Sequence, residues 1–428
     1  MQKYDLIVVG GGFGGVGAAV AAAREGLKVL LIEKSNALGG AANLGLVTPF
    51  MYYRTITGED ADGNRTYYYL CRGIFEEIVN ELKKGGRSDN LNLDTNFDSE
   101  YLKLILNRFV LESGVELLYD VTVVSAEREG NRINSVTVHS KGQDVTFEAD
   151  YFIDATGDAN LVAMTGFPFR LGREPDRLCQ PMTLCFRLAG VDTEEFWRIH
   201  KFDGVVNALY KKLQAEGKIK NPRENVLAFR QDIEGVVHFN TTRVVRLNPT
   251  DIFDVTKAEI EAREQMYEML DFLKTNFECF KNAHVVTSAT EIGIRESRMI
   301  EGEYTVTGKE LMDCVPFEDS IATGNYDIDI HNPEGTGTSH YYFPRGKYYR
   351  IPYGVLVPKN SENLLVAGRC VSADHEAQAS IRIMPIVCCL GQAAGTAIAV
   401  AQKQQKGVKD IDVKELQANL LRNGAVID

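Results

Sequence analysis

The residues best suited to proton and charge chemistry lie in the second half of the chain. His375, in the run Ser372-Ala373-Asp374-His375-Glu376, carries an imidazole that titrates near neutrality and suits an acid or a base. Arg382 follows seven residues later, just before Met384-Pro385, where a guanidinium can hold a carboxylate or balance a charged cofactor. Arg295-Glu296-Ser297-Arg298 sets two arginines three apart, on one face if helical. Asp329 and His331 stand two apart, on one face if extended; as metal ligands they lack a third partner, and no metal site is expected. Tyr348-Tyr349-Arg350-Ile351-Pro352-Tyr353 adds aromatic rings and a cation. Plain structural roles compete with each reading. His375 can hold its own loop by hydrogen bonds, Arg382 can bridge to a second domain, and the 295–298 arginines can pair with Glu291, Glu296 or Glu301. As a group these side chains favour a polar or anionic substrate over a flat hydrophobic one. We take His375 as the acid–base group, with Arg382 and Arg295 orienting.

The elements that must position them begin at the N-terminus. Asp5-Leu6-Ile7-Val8-Val9 is a short β-branched run and predicts a buried strand. Gly10-Gly11-Gly12-Phe13-Gly14-Gly15 follows, then a small-residue helix over 18–25 and a second strand over 28–33. Strand, glycine turn, helix and strand within about thirty residues make a dinucleotide-binding unit. Gly10 makes the tight turn, Gly12 admits a pyrophosphate to the backbone, and Gly15 permits close helix–strand packing. The helix N-terminus offers unpaired N–H groups to phosphate. Glu33 ends the second strand 21 residues after Gly12, where it can accept hydrogen bonds from ribose hydroxyls. Phe13 inside the turn and Lys34 beside the acid join the candidate contacts.

Two further strand ends address the same nucleotide. Tyr151-Phe152-Ile153-Asp154 runs into Ala155-Thr156-Gly157-Asp158, and Asn363-Leu364-Leu365-Val366-Ala367 runs into Gly368-Arg369. Leu38-Gly39-Gly40 just past the second strand resembles the flavoprotein pattern, in which the chain turns back along the cofactor. Three strand ends on one nucleotide is the FAD arrangement. The chain resembles an FAD-dependent oxidoreductase of the glutathione-reductase-like superfamily, in the branch related to succinate dehydrogenase and fumarate reductase flavoproteins. The narrower likeness rests on the stretches 292–304, 317–331, 349–369 and 375–401. It implies that Val123 passes the adenine. It also implies that Gly391, Ala393 and Ala394, near the start of the last long helix, aim that helix's N-terminus at the flavin. Relatives that bind flavin covalently use a histidine after the glycine turn; residues 39–50 hold none, so noncovalent FAD is expected. A second glycine fingerprint and a CxxxxC pair near the first, both present in the disulfide reductases, are missing.

Composition bounds the rest. Of 428 residues, 44% are hydrophobic and 25% charged, an ordinary globular mix with ample length for a large core. The net charge of −12 disfavours nucleic acid and anionic lipid as partners. The eight cysteines form no CxxC pair and read as buried thiols of a cytoplasmic protein. The fold class expected is α/β: a Rossmann-like FAD-binding domain from 1–50, 100–165 and 356–428, and a mixed α+β substrate or cap domain from 51–99 and 166–355. A T-x-x-E box at Thr256-Lys257-Ala258-Glu259 predicts the start of a long helix reaching about residue 275. The leading functional expectation is hydride exchange between noncovalent FAD and a hydroxylated or carboxylate-bearing small molecule. An alternative is a flavin-containing RNA-modification or scaffold protein, against which the negative charge argues. A thiazole-synthase-like protein with a sacrificial cysteine is a third. The oligomeric state is open, a homo-oligomer included, as is the electron partner.

Overall fold

The β-branched runs become the strands of a seven-stranded sheet in the computed structural model, which describes residues 3–91, 94–174 and 176–428. The strands are β1 (Lys3–Val9), β2 (Val29–Ile32), β3 (Glu116–Leu118), β4 (Thr122–Glu129), β5 (Arg132–Ser140), β6 (Gln143–Asp154) and β7 (Leu364–Val366). Their order is β3-β2-β1-β6-β5-β4, with β7 also pairing β6. One edge of β6 is shared. Its first half runs antiparallel to β5, and its last three residues run parallel to β7. The other edge of β6 pairs parallel with β1, from Lys3↔Glu148 to Val9↔Asp154. Leu6, Ile7, Val8 and Val9 are all buried, as a central parallel strand covered on both faces requires. The expected strand over 115–124 is broken at Tyr119–Val121, giving β3 and β4.

Three helices matter for the site: α1 (Phe13–Arg24), α2 (His375–Ile381) and α3 (Met384–Gln404). α1 and α3 touch backbone to backbone. A Cβ at Gly391 would lie 2.1 Å from the Gly14 carbonyl oxygen, and one at Gly395 would lie 2.1 Å from that of Ala18. α3 is long and apolar enough to cross a membrane, yet its apolar stretch is wholly buried in this fold.

A second, four-stranded antiparallel sheet has the order Ala228–Arg230, Val237–Phe239, Phe186–Ala189, His284–Ser288. One face packs Phe186, Leu188, Val237 and Phe239 against Met266, Met269 and Leu273 of the long helix Ile252–Asn276. That helix starts earlier than the Thr256 box predicts. Asp251 is its N-cap and accepts from Phe253 and Asp254 N–H, while the Thr256 hydroxyl donates back to the Ile252 carbonyl inside the helix. The Asp cap wins because it leaves a full extra turn of backbone paired. A capping box does occur, at Thr307 and Glu310. A hairpin of Ile328–His331 and Thr338–Tyr341 sets Asp329 opposite His340 and His331 opposite Thr338.

Candidate active site

The glycine turn is built as its spacing predicts. Gly10 has φ +106°, and a Cβ there would sit 2.4 Å from the Ala155 carbonyl oxygen. Gly15 is closer still, 1.8 Å from the Gly10 oxygen. Gly12 is the N-cap of α1, has no side-chain cap, and a Cβ there would meet nothing within 4 Å. The N–H groups of Phe13, Gly14 and Gly15 are the first three of the helix and have no acceptor within it, at its positive end. Gly39 donates its N–H to the Gly11 carbonyl at 2.8 Å, which lays the Gly39-Gly40 turn over this loop. Glu33 is buried; it accepts from Gly11 N–H at 2.5 Å and from both the N–H and hydroxyl of Ser35 at 2.8 Å. Val121 donates to the Glu33 carbonyl, which brings the half-buried Val123 to the same strand edge.

The other two strand ends converge here. Asp154 accepts from Thr156 and Val162 and so folds the Ala155–Asp158 turn. Gly368 packs on Gly157, whose φ is +80°. Arg369 pairs with Asp158 and leaves its Nε buried without a hydrogen-bond partner. Lys34 points outward to Glu291 at 3.0 Å. One expectation is corrected. α3 begins at Met384 behind the N-cap Ile383, with Pro385 in its first turn, so Gly391, Ala393 and Ala394 lie well inside it. Their small size serves the contact with α1, and the helix N-terminus is formed by the residues around Met384 and Pro385 instead.

Arg295 and Arg382 meet in a buried cluster that the sequence only partly announces. Arg295 is not helical. It donates to the Pro181 carbonyl at 2.7 Å, the Thr183 hydroxyl at 2.5 Å and Asn240 Oδ1 at 3.4 Å. Burial pushes its guanidinium down to about 9, and Arg382, Arg223 and Arg243 add to the push. It stays cationic at neutral pH. Arg298, by contrast, reaches back to the Asp158 carbonyl at 3.1 Å. Arg382 lies 3.7 Å from Asp329 Oδ2, and its Nε is buried without a partner among the described residues. Arg243 donates to His331 Nδ1 at 2.8 Å and Arg223 to the same atom at 3.3 Å. A guanidinium only donates, so Nδ1 is the acceptor and Nε2–H donates to Asp329 at 3.2 Å. His331 is held neutral: burial, then Arg295, lowers it well below the usual imidazole value. Burial works against the Asp329 charge, but the hydrogen bond from His331 and the charge of Arg382 hold it well below the carboxylate range.

His375 is the first residue of α2, capped by Asp374. Its Nδ1 lies 2.7 Å from Oε1 of the fully buried Glu296. A carboxylate accepts, so Nδ1 carries the proton. Gln180 ties this pair to the arginines. Its N–H donates to Glu296 at 2.9 Å, its Nε2 to Gln378 at 3.3 Å, and its Oε1 accepts from His331 N–H at 3.3 Å. Of the aromatic run at 348–353, Tyr349 bonds Ser380 and Tyr353 bonds the Val408 carbonyl, so both are structural. Arg223, Arg243, Tyr326, Asp327 and His340 escape sequence reasoning. Arg223, Arg243 and His340 are isolated in the chain, while Tyr326 and Asp327 lie in the stretch 317–331 without a sign of their role; the hairpin and the segments around the second sheet bring them together.

Residues 5–420 match the family model described as FAD dependent oxidoreductase. The chain belongs to the FAD dependent oxidoreductase family. It is 31% identical to dihydrolipoyl dehydrogenase of Trypanosoma brucei brucei over 39% of this chain and 33% of that protein. It is 55% identical to glutathione reductase of Debaryomyces hansenii over 11% of this chain and 10% of that one. The chain thus spans a third or less of the length of these curated relatives. A geranylgeranyl bacteriochlorophyll reductase-like protein of Thermoplasma acidophilum superposes with a TM-score of 0.47 at 12% identity, covering 99% of this chain and 83% of that one. The FAD of the family fits the residues present. The open space at Gly12, the orphan N–H groups of α1 and the carboxylate of Glu33 provide a pyrophosphate cradle and a ribose acceptor. Among the described residues no group of three His, Cys, Asp or Glu side chains is placed to hold a metal ion.

Proposed function

We propose that this FAD-dependent oxidoreductase exchanges a hydride between noncovalently bound FAD and a small polar molecule that carries a carboxylate. The observation that carries the reading is the buried cluster in which Arg223, Arg243, Arg295 and Arg382 face, among the described residues, the two counter-charges Glu224 and Asp329. Excess buried positive charge is costly unless an anion completes it. A substrate carboxylate does so, and the unpartnered Nε of Arg382 offers it a donor.

FAD supplies the hydride acceptor or donor. The chain supplies orientation and proton handling. His375, oriented by Glu296 through Nδ1, presents a free Nε2 to take or return the substrate proton. Arg295 and Arg382 hold the carboxylate. Asp329, too acidic to serve as a base, keeps Arg382 and His331 in place. We further propose a cytoplasmic location and no nucleic-acid or membrane partner.

The test is the visible spectrum of the purified protein, titrated anaerobically with NADH and NADPH and then exposed to air. Absence of a flavin band would sink the reading. Bleaching by a nicotinamide directs the search to unsaturated acids. A band that neither nucleotide bleaches directs it to hydroxy and amino acids as reductants. If no carboxylate exchanges electrons with the flavin, the arginine argument fails.

A further inference from the structure

Beyond the arginines lies an acidic side on which, among the described residues, Asp94, Asn325 and Asp329 each keep one buried oxygen without a donor. Asp329 faces both ways. Its Oδ2 takes the Tyr326 hydroxyl and His331 Nε2, each at 3.2 Å, on the arginine side. Its Oδ1 is buried, has no hydrogen-bond partner, and lies 3.6 Å from His340 Nδ1. That nitrogen is already engaged with Asp327 Oδ2 at 2.8 Å. Asp327 is itself buried and accepts from the Tyr52 hydroxyl through its other oxygen. Asn325 is 7% exposed; its Nδ2 donates to the Arg54 carbonyl at 3.4 Å, and its Oδ1 is buried without a partner. Asp94 Oδ1 is in the same condition.

Buried acceptors without donors are rare, because each forfeits its hydration for nothing. Here Asp94, Asn325 and Asp329 each present one. A partner suited to these oxygens is rich in donors, carries no acceptor that needs a donor of its own, and is favoured by neighbouring carboxylates if it is positive. An ammonium has three N–H donors and no acceptor, whereas a hydroxyl offers one donor and its oxygen also needs a donor from the protein. Burial raises the Asp94 carboxyl to about 6; Arg54 opposes the rise and Asp327 adds to it.

We propose that this acidic side binds a protonated amine, so that the ligand is a zwitterion with its carboxylate on Arg295 and Arg382 and its ammonium among Asp94, Asn325, Asp327 and Asp329. The inference rests on the carboxylate-binding reading above and narrows its substrate class to amino acids. Asp329 joins the two poles, since one of its oxygens faces Arg382 and the other faces the acidic side.

Calorimetric titration of the FAD-loaded protein with matched probes tests it. The pairs are alanine and lactate, glutamate and 2-hydroxyglutarate, phenylalanine and phenyllactate, and 4-aminobutyrate and 4-hydroxybutyrate. In at least one pair the amino member should bind about tenfold or more tightly than its hydroxyl partner, the effect of hydrogen bonds to a charged group. The winning pair tells α-amino from ω-amino ligands. That preference should fade as pH falls through about 6, where Asp94 takes up its proton. The ligands keep their charges at that pH, so a hydroxy acid should show no matching loss. Asp94→Asn should cut the preference to about threefold or less. Equal affinity within every pair, or a preference indifferent to pH and to Asp94→Asn, overturns the amine site and leaves the arginine reading standing. No binding by any probe overturns both.

Discussion

Among the described residues His375 hydrogen-bonds the protein through Nδ1 alone, which separates two roles that the sequence leaves equal. A histidine that merely ties down its loop spends both nitrogens on the protein. This one is anchored to Glu296 through Nδ1, and no hydrogen bond holds its Nε2 among the described residues. His375→Asn should therefore leave the flavin spectrum intact and slow turnover by roughly 10²- to 10⁴-fold, the usual contribution of a positioned acid or base. Loss of FAD from the variant would return His375 to a structural role. Asp94 makes a second prediction at this scale. Its carboxyl rises from 3.8 to about 6 because burial disfavours the charge. A raised carboxyl binds its proton more tightly in the folded state. Its stabilising contribution is full below the unfolded value near 4 and is lost as pH climbs through about 6. Asp94→Asn keeps the side chain neutral at every pH. In urea unfolding it should gain up to about 3 kcal/mol over the parent at pH 8 and show no difference near pH 3.5. A difference independent of pH would mean that Asp94 is not held protonated by burial.

At the scale of elements, the contact of α1 with α3 sets how the cofactor end of the fold is held. Gly14, Gly17, Gly391 and Gly395 let the two backbones meet; at Gly17 a Cβ would stand 2.5 Å from the Cys388 carbonyl. Gly395→Ala inserts a methyl 2.1 Å from the Ala18 oxygen, in rigid backbone that cannot yield locally. Overpacking of this kind costs about 1–3 kcal/mol and should show as a lower midpoint in chemical denaturation, with flavin content falling as the helices part. An unchanged midpoint would mean the helices slide freely. The same elements show what the sequence carries. Strand, glycine turn, helix and acidic strand end are all written between Asp5 and Glu33, so local pattern suffices. The start of α3 was not legible at its small residues, because a stripe of Gly and Ala marks close packing as readily as a helix terminus; Pro385 was the better signal. The arginine cluster was legible only in Arg295 and Arg382. Arg223 and Arg243 join it across the second sheet and the hairpin, through contacts separated by about a hundred residues, such as Arg223 to His331 (108 apart) and Arg243 to His331 (88 apart). Asp329 and His331 were correctly placed on one strand face by their spacing, but their partners come from other elements.

For the whole molecule, cofactor and fold are coupled through one glycine turn, and two glycines in it separate the coupling from the folding. A Cβ at Gly15 would stand 1.8 Å from the Gly10 carbonyl, so Gly15→Ala damages the turn whether or not FAD is bound. A Cβ at Gly12 would meet nothing within 4 Å, and its φ of −68° suits any residue. Gly12→Ala should therefore fold, with an N-cap cost of a few tenths of a kcal/mol up to about 1 kcal/mol. It should nonetheless place a methyl where the pyrophosphate must approach the N–H groups of α1. Ligand that binds only the native state adds about 4 kcal/mol of stability at a thousandfold excess over Kd. Melting curves of the apoprotein and of protein titrated with FAD then give the comparison. In the parent, FAD should raise the midpoint by several degrees. In Gly12→Ala the apoprotein midpoint should stay near the parent's, and the FAD-dependent rise should shrink or vanish. In Gly15→Ala both midpoints should fall together. If Gly12→Ala keeps the full rise, the phosphates do not lie on this turn, and the three converging strand ends need another explanation.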